Sequence, residues 1–193
     1  FVLGGYGSTT LASVEGYTPA ANNWTEKAPM GTGRSSPAAV ALDGTLYALG
    51  GYDSIGRITN TVEVFTVGTG KWATGTPMNT ARFSFGAAVV AGKIVAAGGY
   101  VFNGNPVSSA EIFDPADPGK WTTAASMATA RGGHCVAALG PLVYAMGGCN
   151  NGPCKTVEAY DIKANTWAAV ADMITARENA AAAALLGKLY VMG

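Results

Sequence analysis

Four of the five arginines and a set of four glutamates recur through this sequence at intervals of 46 to 49 residues. A guanidinium binds carboxylates and phosphates bidentately, so a ring of arginines could bind an acidic ligand. The same side chains could instead form one structural ion pair in each repeat. Repeated glutamates are not typical of catalysis, which needs one pair of carboxylates with different pKa values. The arginines are Arg34, Arg82, Arg131 and Arg177, and the glutamates are Glu15, Glu63, Glu111 and Glu158.

Histidine and cysteine are scarce in this sequence. His134 is the only histidine, whereas a copper or zinc enzyme needs two or more imidazoles. We therefore predict no metal, no cofactor and no catalytic residue in the chain, and we interpret His134 as a polar rim residue at the start of a strand. Cys135 replaces a small core residue and is expected to be an inert buried thiol.

The remaining cysteines, Cys149 and Cys154, bracket an Asn-Asn-Gly-Pro turn. Their Cα atoms can approach disulfide distance within one loop, so the pair is either bridged or reduced. A bridge would indicate an extracytoplasmic protein, and free thiols would fit a reducing compartment equally well. The sequence leaves the localisation open.

The elements that position these residues share the same period. Gly-Gly pairs close an apolar run in each repeat, and one tryptophan follows in each. Within one repeat, two short apolar runs flank Asp43-Gly44, a dipeptide that favours a hairpin turn. An alternating strand and a tryptophan strand come next, which makes four strands per repeat. The Gly-Gly pairs are Gly4-Gly5, Gly50-Gly51, Gly98-Gly99 and Gly147-Gly148, and the tryptophans are Trp24, Trp72, Trp121 and Trp167.

The order Arg, small apolar run, Tyr-x-x-Gly-Gly-Tyr-Asp, Val-Glu-x-aromatic, Trp and Pro-Met resembles the kelch repeat over essentially all 193 residues. The resemblance implies an all-β fold, a β-propeller of four-stranded antiparallel kelch blades with about four repeats in this chain. We divide the chain into a partial blade (1–33), three blades (34–81, 82–130 and 131–176) and a second partial blade (177–193). The tryptophans are expected to pack between blades.

The alanine tract Ala180–Ala184 would be assigned to a helix by composition alone. The tract aligns without a gap with small-residue runs that precede the other turns, so the register predicts an innermost strand. Closure has three alternatives: the chain is part of a propeller with six or seven blades, a half that a second copy completes, or a four-bladed ring. Closure is needed because an open fan of blades would expose strand edges. We favour the first alternative, because the chain begins inside a strand.

The resemblance also implies a ligand-binding rim, because kelch propellers that bind peptides place side chains of these types around the mouth of the channel. The alternative is that each arginine bonds loop carbonyls or pairs with the glutamate of its repeat. The implied rim consists of Arg34, Arg82, Arg131, Arg177, Tyr6, Tyr52, Tyr100, Ser13, Thr61, Ser109 and Thr156, with Cys149 departing from tyrosine.

Composition excludes several partner classes. The formal net charge is zero and charged residues make up 12% of the chain, so we expect neither nucleic-acid nor membrane binding. We predict a non-catalytic module that binds another protein or an acidic peptide, with a homodimer as a way to complete the propeller. The alternative is a fragment of a secreted kelch enzyme or carbohydrate-binding protein, similar to galactose oxidase, with its active residues outside this chain.

Overall fold

The fold is all-β, as the sequence predicts. A computed structural model of the chain describes residues 1–150 and 152–193. Within these ranges the only helical segment is a 3-10 turn at Pro19–Ala21. The chain divides into two compact units, Phe1–Phe83 and Ser84–Gly193. In each unit, antiparallel sheets follow one another along the chain in the manner of kelch blades.

The first unit contains a three-stranded sheet and a four-stranded sheet. Within each sheet, every strand pairs with the strand that follows it in the chain, so each sheet is a simple meander. The strands are β1 (Val2–Leu3), β2 (Val14–Thr18), β3 (Asn23–Lys27), β4 (Ala38–Leu42), β5 (Thr45–Leu49), β6 (Val62–Thr66) and β7 (Lys71–Gly75).

The second unit contains two four-stranded sheets and a two-stranded hairpin with the same meander order. The strands are β8 (Gly86–Val90), β9 (Lys93–Ala97), β10 (Ala110–Phe113), β11 (Trp121–Ala124), β12 (Cys135–Leu139), β13 (Leu142–Met146), β14 (Val157–Asp161), β15 (Thr166–Val170), β16 (Ala181–Leu185) and β17 (Lys188–Met192).

Local sequence explains where these strands turn. Asp43 and Gly44 join β4 to β5 with φ values of 47° and 73°, the left-handed conformation that a tight hairpin needs at both central residues. The alanine tract forms strand β16 and pairs with β17, so the repeat register overrides the helical preference of alanine. Tertiary context decides here because each hairpin must pair and pack to bury its apolar face.

Small side chains on the first strands of two sheets in the second unit allow these sheets to approach closely. A Cβ atom added at Gly86 in β8 would lie 2.0 Å from the Cγ2 atom of Val136 in β12. The core of the second unit forms between these sheets, and Val95, Val143 and Tyr160 are fully buried in it. The strands β8 and β12 are therefore packed too closely to accept a larger side chain at position 86.

Two tryptophans each link a sheet to the preceding sheet of the same unit. The indole Nε1–H of Trp72 donates to the carbonyl oxygen of Ala28 at 2.7 Å, and that of Trp167 donates to Ala125 at 2.9 Å. Each ring also packs against an aromatic side chain of its own sheet, with centroids 5.1 Å apart for Trp72 and Phe65. Trp24, in the first sheet, is 53% exposed.

Candidate functional site

The loops that join the second strand of each sheet to the third lie at the same end of the strands as the segments that join one sheet to the next. The second glycine of each Gly-Gly pair connects the two sets of loops, because its N–H donates to the carbonyl oxygen of the next repeated arginine. Within the first unit, Gly5 donates to Arg34 at 2.7 Å and Gly51 donates to Arg82 at 2.9 Å. We call this end of the strands the loop end.

Arg34 is a structural hub at the loop end of the first unit. Its side chain is fully buried, and its Nη1 atom donates to the carbonyl oxygens of Gly50 at 2.8 Å and Thr61 at 3.1 Å. Its Nη2 atom donates to the Thr61 hydroxyl at 2.8 Å and to Glu63 at 3.0 Å. The guanidinium therefore ties the two middle strands of the blade together.

The carboxylate of Glu63 completes this arrangement. It accepts hydrogen bonds from the backbone N–H groups of Gly31 at 2.5 Å and Thr32 at 3.1 Å, in the segment that enters the blade. A buried carboxylate needs such donors, and here the two turn amides and Arg34 provide them. One Arg–Glu pair thus fastens the entering segment, the Gly-Gly turn and the third strand of the sheet.

The same set of contacts recurs in the second unit. Arg131 is fully buried and donates to the carbonyl oxygens of Gly147 at 2.7 Å and Thr156 at 3.0 Å. It also donates to the Thr156 hydroxyl at 2.9 Å and to Glu158 at 3.0 Å. Glu158 accepts from two backbone amides of the entering segment, at 2.6 and 3.1 Å.

These contacts correct the position that the sequence analysis gave to the arginines. Arg34, Arg82 and Arg131 have no exposed surface and so do not line the rim. The structural alternative holds at Arg34 and Arg131, where the glutamate and the loop carbonyl oxygens accept the hydrogen bonds of the guanidinium. Arg177 is half-buried, and its Nη1 atom donates to the carbonyl oxygen of Gly193.

The hydroxyl positions divide between structural and exposed roles. The hydroxyls of Thr61 and Thr156 accept the arginine hydrogen bonds described above, although both residues are exposed. Ser13 is exposed and Ser109 is half-buried.

The three tyrosines also differ. Tyr6 is 75% exposed. Tyr52 is half-buried, and its ring packs on Phe83 with centroids 4.3 Å apart. Tyr100 is half-buried over the backbone of Gly132, where an added Cβ would lie 2.3 Å from the tyrosine ring.

A polar cleft of about 390 Å³ opens at the loop end of the first unit. Two of the predicted rim tyrosines lie in its wall, together with hydroxyl side chains and one carboxylate. Phenols and hydroxyls both donate and accept hydrogen bonds, so such a cleft can bind an extended peptide through its backbone and polar side chains. The lining residues are Tyr6, Ser8, Thr9, Thr10, Ser35, Tyr52, Asp53, Ser54 and Gly56.

Asp53 orders the loop beside this cleft. Its Oδ1 atom accepts from the N–H groups of Ile55 at 3.0 Å and Arg57 at 2.8 Å, and its Oδ2 atom accepts from the Arg57 side chain at 3.0 Å. The backbone hydrogen bond from Arg57, with the other two donors, lowers the pKa of Asp53. The loop is therefore stabilised above the ordinary aspartate pKa near 3.9, and this support is lost as the pH falls through the lowered value.

Exposed apolar side chains project from several loops at this end. Ile55 is 69% exposed beside the cleft of the first unit, and in the second unit Phe102 is 96% exposed and Ile174 is fully exposed. Ile174 stands at the variable position of the repeated Met-x-Thr-x-Arg segment. Asp53, Ile55 and Phe102 were not among the predicted site residues, because their loops change in composition from repeat to repeat. The sequence signal that could have identified these three residues is their position in the loops between a Gly-Gly pair and the following glutamate-containing strand.

A disulfide joins Cys149 and Cys154 in the corresponding loop of the blade that begins at Arg131, with the two Cα atoms 5.7 Å apart. Cys135 is a free thiol, and burial raises its pKa. His134 is buried at the entrance to β12 and is not the exposed rim residue that the sequence suggested. Its imidazole lies against Gly98, where an added Cβ would be 2.5 Å from the ring.

Two further kinds of site are absent from the residues that the structure describes. Among residues 1–150 and 152–193, no three His, Cys, Asp or Glu side chains come together as ligands for a metal ion. No helix in this part of the chain has the length and hydropathy of a membrane-spanning segment.

Comparison with protein families gives a match that extends over the whole chain. The family model described as "KLHDC2/KLHL20/DRC7 Kelch-repeats domain" matches residues 1–193. Human Kelch-like protein 23 is 40% identical over 75 residues, which is 38% of this chain and 13% of that protein. Mouse Kelch-like protein 35 is 40% identical over 74 residues, with the same shares. Human Kelch-like protein 33 is 52% identical over 44 residues, or 23% of this chain and 8% of that protein.

Proposed function

This chain belongs to the kelch-repeat family, and we propose that it is a non-catalytic module that binds another protein through the loop end of its blades. The alignments cover about an eighth of the length of the first relatives reported above, so the activity of a whole protein is not carried over.

The observation that carries the proposal is the polar cleft of the first unit. Tyr6 is three-quarters exposed at its edge, in a loop closed by hydrogen bonds from the Gly7 N–H to the Thr9 carbonyl oxygen and from the Leu11 N–H to the Gly5 carbonyl oxygen, both at 3.0 Å. Asp53 orders the neighbouring loop through three hydrogen bonds. An exposed aromatic residue on an ordered loop loses little conformational entropy on binding, which is a property of residues that dominate protein interfaces. Phe102 has the same exposed character in the second unit.

The cleft favours an extended segment of the partner that carries an acidic residue. Phenol and hydroxyl groups can donate to a carboxylate. The guanidinium of Arg57 pairs with Asp53 through its Nε atom, and its side chain is 73% exposed, so its remaining N–H groups can bind a second carboxylate. The buried arginines take no direct part in this recognition. Their role is to hold the loops, because their donors already bind protein carbonyls and glutamates.

The proposal can be tested by selecting random peptides on phage against the wild-type chain and measuring the affinity of the selected peptides for single variants. We expect Tyr6→Ala and Phe102→Ala each to weaken binding of the peptides that contact them by tenfold or more, as central interface residues do. Both residues are exposed, so the thermal unfolding curves should not move.

Leu186→Ala is the matched control, since Leu186 is 90% exposed in the turn between β16 and β17, at the opposite end of those strands. This variant should bind like the wild type. The proposal fails if selected peptides bind all three variants equally, or if only Leu186→Ala loses affinity.

A further inference from the structure

The loop that contains the disulfide departs from its siblings at two repeat positions. Cys149 follows the Gly-Gly pair where the other repeats have tyrosine, and Cys154 stands two residues before Thr156 as Thr59 stands two residues before Thr61. Cys149 and Cys154 are both half-buried. A small reagent in solvent can therefore approach the pair.

Both sulfur atoms lie next to a buried cation. The Nη1 atom of Arg131, which has no solvent exposure, lies 3.7 Å from the Sγ atom of Cys154 and 3.9 Å from that of Cys149. Thr156 is nearer, with its hydroxyl oxygen 3.4 Å from Cys154 and 3.6 Å from Cys149. Cys154 is thus the closer sulfur to both groups.

The hydrogen-bond pattern determines what Thr156 offers to the sulfur. Its oxygen already accepts a hydrogen bond from the Nη2 atom of Arg131 at 2.9 Å, so its own proton is available to a second acceptor. In the first unit the equivalent hydroxyl of Thr61 accepts from Arg34 and bonds to Thr59 at 2.9 Å. Cys154 occupies the place of Thr59, so its sulfur is the corresponding partner of Thr156.

A thiolate at this place would be favoured by a hydroxyl donor that is itself polarised by a guanidinium. The charged groups around it are Arg131, Arg177 and Lys155 on the positive side and Glu158 and Asp172 on the negative side. Glu158 pairs with Arg131 at 3.0 Å and Asp172 pairs with Lys155 at 3.7 Å. The N–H of Arg177 donates to the carbonyl oxygen of Cys154.

We propose that Cys149 and Cys154 form a redox-modifiable site that a small dithiol reductant opens, with Cys154 as the leaving thiolate. One thiolate of the reductant attacks the Sγ atom of Cys149, and the bond between the two protein sulfurs breaks toward Cys154. The second thiol of the reductant then displaces Cys149 from the mixed disulfide. The reductant leaves as its own disulfide, and the protein gains two electrons and two protons.

Opening the bond would release a tie between two blades. Cys149 forms a β-bridge with Arg131, at the start of its own repeat. Cys154 forms a β-bridge with Arg177, at the start of the next repeat. In the disulfide form the S–S bond cross-links Cys149 and Cys154, which are five positions apart in the chain. In the dithiol form only the main chain between them and the hydrogen bonds of the loop remain. The redox state of the pair therefore sets how firmly this sector of the loop end is fixed.

Two single substitutions provide the test. Iodoacetamide is the probe, and mass spectrometry identifies the labelled cysteine. Cys149→Ser isolates Cys154, and Cys154→Ser isolates Cys149. We expect the alkylation of Cys154 to reach half its maximal rate at a lower pH in the folded protein than in urea. That pH should also be lower than the value for Cys149, and Thr156→Val should raise it.

Cys135 serves as an internal control in every variant, because its buried thiol should react at least tenfold more slowly near neutral pH.

The wild-type chain tests the exchange step directly. Dithiothreitol should open the disulfide in the folded protein, and both released cysteines should then be labelled before Cys135. The proposal is overturned if the disulfide opens only after unfolding, or if folding leaves the pH of half-maximal Cys154 alkylation unchanged or raises it. Thermal unfolding of each variant verifies that the comparison is made on folded protein.

Discussion

At the scale of single residues, the repeated arginine and glutamate act as a structural pair. Arg34 with Glu63 and Arg131 with Glu158 have the same partners and nearly the same distances. Removing one member of a buried pair leaves an uncompensated charge, which costs more than the pair itself contributes. The ends of two strands and one entering segment depend on each pair, so the effect should spread beyond the substituted side chain.

Glu158→Gln tests this interpretation. The substitution keeps the shape of the side chain but leaves the buried guanidinium of Arg131 without a carboxylate. We expect the free energy of unfolding to fall by about 3 kcal/mol or more, measured by urea denaturation. Glu15→Gln is the matched control, since Glu15 occupies the same repeat position with an exposed side chain. A change within about 0.5 kcal/mol is expected there. Equal effects at both positions would contradict the structural role of the pair.

Single residues also mark the limit of prediction from sequence. The spacing showed that each repeat carries one arginine and one glutamate, but both the ligand-binding rim and the structural pair use these residue types at the same spacing. The direction of the arginine side chain depends on the carbonyl oxygens of Gly50 and Thr61, which spacing alone does not locate. Asp53 and Phe102 lie in loops without a repeated pattern, so the register gave no signal for them.

At the scale of strands and sheets, most of the fold could be predicted. The Gly-Gly pairs, the turn at Asp43-Gly44 and the alternation in β6 all identified strands that the structure contains. The alanine tract was assigned correctly because its siblings fixed the register, although its composition favours a helix. The close approach of β8 and β12 could not be predicted, since it depends on the packing of two sheets.

Gly86→Ala tests that approach. The new methyl group would lie 2.0 Å from the Cγ2 atom of Val136, a distance that the two strands must relieve by moving apart. We expect a loss of about 1 to 3 kcal/mol in the free energy of unfolding, as found when packed cores receive an extra methyl group. The double variant Gly86→Ala/Val136→Ala removes the nearer contact but leaves the Cβ atom of residue 136 at 2.5 Å from the new methyl group, so it should recover part of this loss. Additive destabilisation in the double variant would show that the two side chains do not compete for space.

Trp167→Phe tests the connection between sheets. The substitution retains an aromatic ring beside Tyr160, whose centroid lies 5.0 Å from that of Trp167, and removes the hydrogen bond to Ala125. We expect a loss of about 1 kcal/mol in the free energy of unfolding, the usual contribution of one hydrogen bond. Trp24→Phe should change stability by less than about 0.5 kcal/mol, because Trp24 is half-exposed. A larger loss for Trp24→Phe would refute this assignment.

At the scale of the whole molecule, two sheets have fewer than four strands. Strand β1 is the edge of the three-stranded sheet, and β17 pairs within its sheet with β16 alone. Tyr190 and Met192 in β17 are 45% and 57% exposed, and Val2 in β1 is 56% exposed. Edge strands with exposed apolar side chains recruit further strands, in the same chain or in another copy. This 193-residue chain should therefore associate when no other strand covers these edges.

Sedimentation at increasing protein concentration tests this expectation. We expect the average mass of the 193-residue chain to rise from that of one copy toward that of two, because a second copy can pair with β17. Met192→Lys should shift the rise to higher concentration, since a lysine on an edge strand opposes the approach of another chain. Leu186→Lys is the control, because it adds the same charge to the turn of the same hairpin outside the paired strand. A single-copy mass at every concentration, or equal shifts in both variants, would show that β17 does not direct association.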